Sequence, residues 1–354
     1  MADDPLSNEF SGSSAVRQAF DERRLHAWMQ ANVSGYSGSL NVEQFNGGQS
    51  NPTYKLTDAN GTRYVMRRKP PGQLLASAHA VDREFRVITA LQATDVPVPR
   101  TYALCTDEAV LGTWFYVMEF IPGRVIWDIY GEAHTNTQRR AIFESALDAL
   151  GKLHRVDYQA VGLGDYGKPG NYFERQLKRW ISQYEYTRAA QPNPGLDALI
   201  EWIPNNIPKD DRTTIVHGDP QISNMMFHAD QPKVLALLDW ELSTLGHPMV
   251  DLSYLCHTFY TEPPGGLAGR TPESIGLPSV DEILTRYSAL TDTPKTSRQD
   301  WLFYIVFSMF RLSAILQGIA KRAQDGTASN PQAVTMGERA ATLADTAMRM
   351  VRNG

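Results

Sequence analysis

Three oxygen-bearing side chains near the middle of the chain could do chemistry together. Residues 217–224 read HGDPQISN, which sets Asp219 five positions before Asn224, and the apolar run VLALLDW carries Asp239 at its end. Two carboxylates and an amide make a set of hard oxygen donors. Such a set suits a proton acceptor beside a hard cation, an ion that takes a few oxygen ligands and shares the rest with phosphate and water.

The elements that must position these groups fall into two regions. An amphipathic helix is expected around 14–31, followed by short strands near 40–46 and 53–57 that flank FNGGQSNPTY. After the turn DANG comes a third strand, RYVMRRK, in which alternate residues share a face. PPG at 70–72 ends it. SAHAVDREFRVITALQA has apolar residues at helical spacing, VPVP breaks that helix, and TYALCT and WFYVMEF read as strands. Beyond IPGR the pattern is mainly helical: 136–156, 171–188 and 196–203, a strand-and-loop insert over 213–241, then 279–290, 299–322 and 331–352. A β-rich first third with one inserted helix, followed by a mainly helical remainder, predicts two unequal lobes joined near 119–123. A cleft between such lobes is where a ligand is expected.

Composition narrows the function. At 354 residues the chain suits two lobes better than one core, and 42% hydrophobic with 21% charged residues is an ordinary globular balance. The formal charge of -5 disfavours a general nucleic-acid or polybasic membrane binder. Cys105 and Cys256 are the only cysteines, without zinc spacing. MADDPLSNEF lacks the positive start of a signal peptide, and WLFYIVFSMF at 301–310 is far shorter than the roughly 20 residues of a bilayer span. A soluble, cytoplasmic protein without nucleic-acid or membrane partners is expected.

Three features of the first region bear on the oxygen set. Gly47 and Gly48 would let backbone amides, continuing through Gln49, Ser50 and Asn51, approach a phosphate, or would simply mark a hairpin. Arg67 shares a strand face with Val65, as a cation over a nucleotide pocket would, or as part of a solvated RRK strand end. Glu84 sits at the edge of an apolar helix face set by Val81, Phe85 and Ile88. There it could fix the direction of Arg67 or pair with a nearby Arg on its own helix.

Taken together, IVHGDPQISNMMFH, VLALLDWEL and these features resemble the aminoglycoside phosphotransferase and protein-kinase-like superfamily, whose catalytic loop is H-x-D-x-x-x-x-N followed by a metal-binding Asp. The Gly turn, strand cation, helix Glu, hinge, catalytic loop and metal Asp appear in that order over nearly the whole chain. VMRRKPPGQLLASAHAVDREFRV, NYFERQLKRWISQY, LLDWELSTLGHPMVDLSYL and FRLSAILQGIAKRAQDGTAS are similar to the kinase-like domain fused to some acyl-CoA dehydrogenases and to its stand-alone bacterial relatives. With no room here for a dehydrogenase domain, no flavin is expected.

The resemblance implies an α+β, bilobal protein-kinase-like fold. Residues 1–120 would be a small β-rich N-lobe for the nucleotide, and residues 121–354 a larger helical C-lobe for catalysis and the acceptor. It implies ATP and Mg²⁺ as cofactors and a small-molecule hydroxyl as acceptor. Asp219 would orient the attacking hydroxyl, Asn224 and Asp239 would hold Mg²⁺, and Arg67, held by Glu84, would meet the phosphates. The backbone at Glu119, Phe120 and Ile121 would meet the adenine edge. His217 would orient the loop, Asp251 would accept from the loop backbone, and Glu241 would be structural or a further metal-side carboxylate.

Departures from protein kinases point to a small-molecule kinase. Arg replaces the usual strand Lys. Gly218 stands where regulated kinases carry an Arg, and too few residues separate Asp239 from Asp251 for an activation segment. The Gly turn lacks G-x-G-x-x-G. An aminoglycoside kinase and a silent nucleotide-binding protein remain alternatives, since fold does not fix function. On 171–188, Arg175 and Arg179 lie four apart beside Phe173, Trp180 and Tyr184, which suits an acid with an apolar tail, such as a hydroxy acid or its CoA thioester, or else a solvated face over a core stripe.

Overall fold

The structure is a computed structural model that describes residues 13–14, 20–45, 51–70, 80–262, 266–267, 269–325 and 335–353. Along the chain run β1 (Ser13–Ser14), α1 (Glu22–Asn32), β2 (Leu40–Phe45), β3 (Thr53–Asp58), β4 (Arg63–Arg68), α2 (Val81–Leu91), β5 (Thr101–Cys105), α3 (Glu108–Leu111), β6 (Phe115–Glu119) and β7 (Arg124–Val125). There follow α4 (Asn136–Arg155), α5 (Tyr172–Arg188), α6 (Pro194–Trp202), β8 (Thr214–Val216), β9 (Met225–Phe227), β10 (Val234–Leu237), β11 (Thr244–Gly246), α7 (Met249–Cys256), α8 (Val280–Thr291), α9 (Arg298–Gln324) and α10 (Met336–Asn353). They divide into two compact units. One comprises Met1–Ile129, Tyr158–Leu163 and Ile222–Ser243; the other comprises Tyr130–Asp157, Gly164–Gln221 and Thr244–Gly354.

In the first unit, six strands pair antiparallel in the order β1-β2-β3-β4-β6-β5, and a smaller sheet has the order β10-β9-β7. Strand alternation divides the labour of the large sheet. Tyr54 and Leu56, Tyr64 and Met66, and Phe115 and Val117 join Leu25 and Met29 of α1 in an apolar core. Their neighbours in sequence, Thr53 and Lys55, Arg63, Val65 and Arg67, and Tyr116 and Met118, line a cavity instead. Of the helix expected at 14–31, residues 15–19 lie outside the described residues, and α1 runs from Glu22. Asp21 accepts the N–H groups of Arg23 and Arg24 and caps it there, while Ser13–Ser14 adds to the edge of β2.

The second unit is mainly helical, with β11 paired to β8. Capping boxes set the starts of α4, through Thr135 and Gln138, and of α8, through Ser279 and Glu282. Its backbone is α9, which is long and apolar enough to cross a membrane, yet 72% of its most apolar window is buried inside the protein. Small residues Ala340, Ala344 and Ala347 bring α10 against it, and Ser313 Oγ donates to the Ala340 carbonyl at 2.6 Å.

Candidate active site

The cavity of the first unit measures about 830 Å³. Its walls come from β3, β4 and β6, the last ending at Glu119, from Phe120 and Ile121 after it, and from Asn224, Leu237, Leu238 and Asp239. Gly123 is required where the chain leaves this wall, because a Cβ there would stand 2.3 Å from the Phe227 carbonyl oxygen. Arg63 stacks on the Phe120 ring at 4.3 Å. Glu119 is exposed, and its N–H donates to the Arg100 carbonyl at 2.7 Å. Gly47, Gly48, Gln49 and Ser50 lie outside the described residues.

Arg67 is the electrostatic centre of this cavity. Its Nε lies 2.8 Å from Glu84, its Nη2 bonds Asp239, and Glu241 is 3.8 Å from the same nitrogen. Burial works against the guanidinium charge, but Glu84 and then Asp239 more than offset it and hold the proton on. Glu84 lies within the buried stripe of α2 rather than at its edge, at 1% exposure. A carboxylate there is costly unless its lone pairs are filled. Asn51 Nδ2 donates to Glu84 at 2.8 Å and the Tyr116 hydroxyl donates to it at 3.2 Å. Burial still raises the Glu84 pKa, against the opposing pull of Arg67 and these donors. Burial and the neighbouring Glu84 also keep Tyr116 protonated, so it remains a donor. Nothing in the sequence marks Tyr116, because its spacing is that of any strand residue.

The guanidinium fork explains why an Arg stands here. One nitrogen serves Glu84 and another serves Asp239, whereas an ammonium is a single point on a flexible stem. With the nucleotide role the resemblance implies for Arg67, Arg67→Lys should weaken nucleotide affinity about tenfold, the size of one lost charge-assisted hydrogen bond. A titration of ATP by calorimetry checks this.

Asp239 has φ +64° and ψ 67°, the left-handed region that Asp tolerates better than bulkier residues. The strained turn carries the chain from β10 into the single helical turn Trp240–Leu242, with Trp240 Nε1 donating to the Leu237 carbonyl at 3.0 Å. Leu238 N–H donates to the Asn224 carbonyl at 2.8 Å, which ties the two cavity-lining oxygen donors Asn224 and Asp239 to one stretch of backbone. Among the described residues no three His, Cys, Asp or Glu converge as a metal cage. An amide and a carboxylate fit Mg²⁺, which usually takes one or two protein ligands and completes its shell with phosphate and water.

In the second unit, the segment after β8 is held by Asp251 of α7. Its Oδ2 accepts the His217 N–H at 2.6 Å and its Oδ1 accepts the Gly218 N–H at 2.9 Å. Gly218 has φ +86°, a conformation that favours glycine. Asp219 N–H donates to His217 Nδ1 at 3.3 Å, and Gln221 Nε2 donates to the Asp219 carboxylate at 2.7 Å. His217 is fully buried. His154 Nε2 lies 3.2 Å from Asp251, with its Nδ1 2.6 Å from the Tyr287 hydroxyl. The segment passes along the chain from the second unit into the first between Gln221 and Ile222.

Burial works against the charge of Asp251, but His154, His217 and the Gly218 N–H hold its carboxyl below the ordinary value. A depressed carboxyl stabilises the fold above its unfolded pKa of about 3.9, and that stability is lost as pH falls through the folded value. Asp251→Asn should cost about 2 to 3 kcal/mol, the penalty for buried donors left without a charged acceptor. Melting temperatures of both proteins from neutral to acidic pH check this, the gap closing on the acid side.

Phe173, Trp180 and Tyr184 of α5 are core, whereas Tyr186 is exposed. Phe173 packs against Phe303, Tyr304 and Phe307, and Tyr184 is fully buried. Arg179 is exposed and lies over the Trp180 ring at 5.1 Å, while Arg175 donates to the Lys168 carbonyl at 2.6 Å. Burial raises the pKa of the Tyr172 hydroxyl, and both arginine charges act on that hydroxyl with a smaller, lowering effect.

A model of the phosphotransferase enzyme family, APH, matches residues 41–282, a span that includes Arg67, HGDPQISN and Asp239. This chain belongs to the phosphotransferase enzyme family. As a member it is a transferase of the kinase type, with an alcohol group as acceptor. A crystal structure of a Ralstonia eutropha JMP134 protein assigned to the aminoglycoside phosphotransferases shares 47% identity, covers 95% of this chain and 99% of its own, and superimposes with a TM-score of 0.86. Choline kinase from Cryptosporidium parvum Iowa II shares the fold at 12% identity, with a TM-score of 0.64 over 94% of this chain and 96% of its own. Acyl-CoA dehydrogenase family member 10 of Mus musculus is 40% identical over 97% of this chain, an alignment that covers 32% of that protein. The chain thus spans about a third of the length of that curated relative. The family's kinase-like α+β fold is the fold of this chain.

Proposed function

We propose that this phosphotransferase moves the γ-phosphoryl group of ATP, with Mg²⁺, to a hydroxyl of a small metabolite in the cytoplasm. The observation that carries the reading is the line of charge from Glu84 through Arg67 to Asp239 along the wall of an 830 Å³ cavity. Val65, Met118 and the Phe120 wall suit a base, and Arg67 suits its phosphates. Residues 1–120 would serve the nucleotide, and 121–354 the catalysis and the acceptor.

Asn224 and Asp239 would hold Mg²⁺, which supplies neutralisation of charge on the transferring phosphoryl group. Arg67 would orient the phosphates, since a loose phosphoryl transition state gains most from positioning and electrostatics. Glu84 would hold Arg67 in line, and Asp219 would accept or orient the proton of the attacking hydroxyl. The hinge backbone at Glu119, Phe120 and Ile121 would meet the adenine edge.

For the acceptor we infer a hydroxy acid or its CoA thioester, with Arg175 or Arg179 near the acidic group. The similarity to an acyl-CoA dehydrogenase family member supports an acyl-type substrate. The 47% identity to a protein assigned to the aminoglycoside phosphotransferases favours a second reading, an aminoglycoside acceptor. ADP release from Mg-ATP, followed with hydroxy acids, hydroxyacyl-CoAs and aminoglycosides in turn, separates them. Stimulation by the first two classes is expected; stimulation by aminoglycosides alone contradicts the acid acceptor and leaves the kinase reading standing.

A further inference from the structure

A charged residue sits in the most buried stretch of α9. Arg311 is 4% exposed, and its Nη2 donates at 2.5 Å to the carbonyl of Gly218, the residue before Asp219. Among the described residues it forms no ion pair, and its Nη1 is buried without a hydrogen-bond partner. Its guanidinium lies instead over the rings of Tyr254, at 5.2 Å, and Trp180, at 6.0 Å. Cation–π contact compensates part of the desolvation of such a group. An apolar side chain of similar size would ordinarily serve a helix core as well or better, so the cation calls for a task.

Its surroundings supply one. Tyr254 of α7 donates its hydroxyl to the Asp219 carboxylate, and burial first, then the nearby Asp219 charge, keep the phenol protonated. The Gly218 peptide groups are therefore gripped from two helices, the N–H by Asp251 on α7 and the carbonyl by Arg311 on α9. The Arg311 guanidinium also covers the ring whose hydroxyl reaches Asp219.

We propose that Arg311 is a positioning residue for Asp219: it fixes the Gly218–Asp219 peptide through the Gly218 carbonyl and holds Tyr254 against the Asp219 carboxylate. The proposal rests on the reading of the chain as a kinase in which Asp219 orients the attacking group. Arg311 acts through Asp219 and touches neither nucleotide nor acceptor. Its loss should therefore lower kcat and leave nucleotide binding alone.

The test compares wild type with Arg311→Met, Arg311→Lys, Tyr254→Phe, Asp219→Ala and the double variant Arg311→Met/Asp219→Ala. The readouts are ADP release from Mg-ATP with water as acceptor, KM for ATP and melting temperature. Arg311→Met should lower kcat about 100-fold, the scale of a misplaced catalytic group, with KM for ATP unchanged. Arg311→Lys, which keeps a donor for the Gly218 carbonyl, should recover part of that loss. Tyr254→Phe should cost about tenfold, the size of one hydrogen bond. In the Asp219→Ala background, Arg311→Met should produce no further loss. A residue that served stability alone would lower the residual rate of the double variant by the same factor as in wild type, and that result overturns the proposal. If Arg311→Met does not fold, unchanged kcat in both Arg311→Lys and Tyr254→Phe overturns it instead. Wild type without Mg²⁺-dependent ADP release, with water and with every hydroxylated acceptor supplied, overturns the kinase reading itself, and the role of Arg311 with it.

Discussion

Asp239→Ala should lower phosphoryl transfer roughly a thousandfold or more and remove the dependence of nucleotide binding on Mg²⁺. In the proposed function, several kcal/mol of charge stabilisation at the transferring group would depend on this carboxylate through Mg²⁺, and 1.36 kcal/mol is a factor of ten. The same carboxylate is a counter-ion of Arg67. Its removal leaves the guanidinium with Glu84 at 2.8 Å and Glu241 at 3.8 Å, and so more available to phosphate. The variant is therefore expected to bind ATP without Mg²⁺ at least as well as wild type, while added Mg²⁺ no longer tightens binding. Asn224→Ala should fall between the two proteins, because a neutral amide is the weaker ligand. Calorimetric titration of ATP with and without Mg²⁺ separates the outcomes, and an unchanged Mg²⁺ dependence in Asp239→Ala contradicts the metal assignment.

Asp219→Ala should lower turnover by roughly 10²-fold or more, the usual contribution of a positioned acid or base, while ATP affinity stays near normal. The prediction follows from how firmly the segment is held. Asp251 takes two of its N–H groups, Arg311 takes the Gly218 carbonyl, and Gln221 and Tyr254 contact the Asp219 carboxylate. Such investment in the direction of one side chain fits a group that must meet a hydroxyl in a fixed geometry. Single-turnover rates beside equilibrium ATP binding check it. Full turnover in the variant would remove Asp219 from the mechanism.

Much of the architecture was legible because it rests on periodicity and short-range signals. The alternation in RYVMRRK puts Val65 and Arg67 on one face, and the structure lines the cavity with that face. Capping residues at Thr135, Ser279 and Ser297 start helices close to the expected positions. Within the stretch expected as helix from residue 14, Asp21 caps α1 at Glu22, a local bond that apolar spacing does not reveal. The HGDPQISN and LLDW spacing marked the candidate oxygen donors, and the family match covers both.

What stayed hidden depends on long-range packing. Arg311 sits in FRLSAILQ like any helix residue, and its partner Gly218 is 93 positions away. Tyr116 and Asn51 reach Glu84 across 32 and 33 positions, and His154 reaches Asp251 across 97. Spacing also cannot tell an aromatic stripe that lines a pocket from one that fills a core, and Phe173 and Tyr184 are core.

The most direct test of the account follows the γ-phosphoryl group itself. The protein is incubated with Mg²⁺ and γ-labelled ATP in the presence of hydroxy acids and hydroxyacyl-CoAs, and the label is traced among ATP, inorganic phosphate and phosphate esters. A labelled ester that forms only with Mg²⁺ and disappears in Asp239→Ala is expected. Label that stays in ATP, with a protein that binds Mg-ATP and with every hydroxylated acceptor supplied, aminoglycosides included, would contradict it and leave a nucleotide-binding protein without transfer activity.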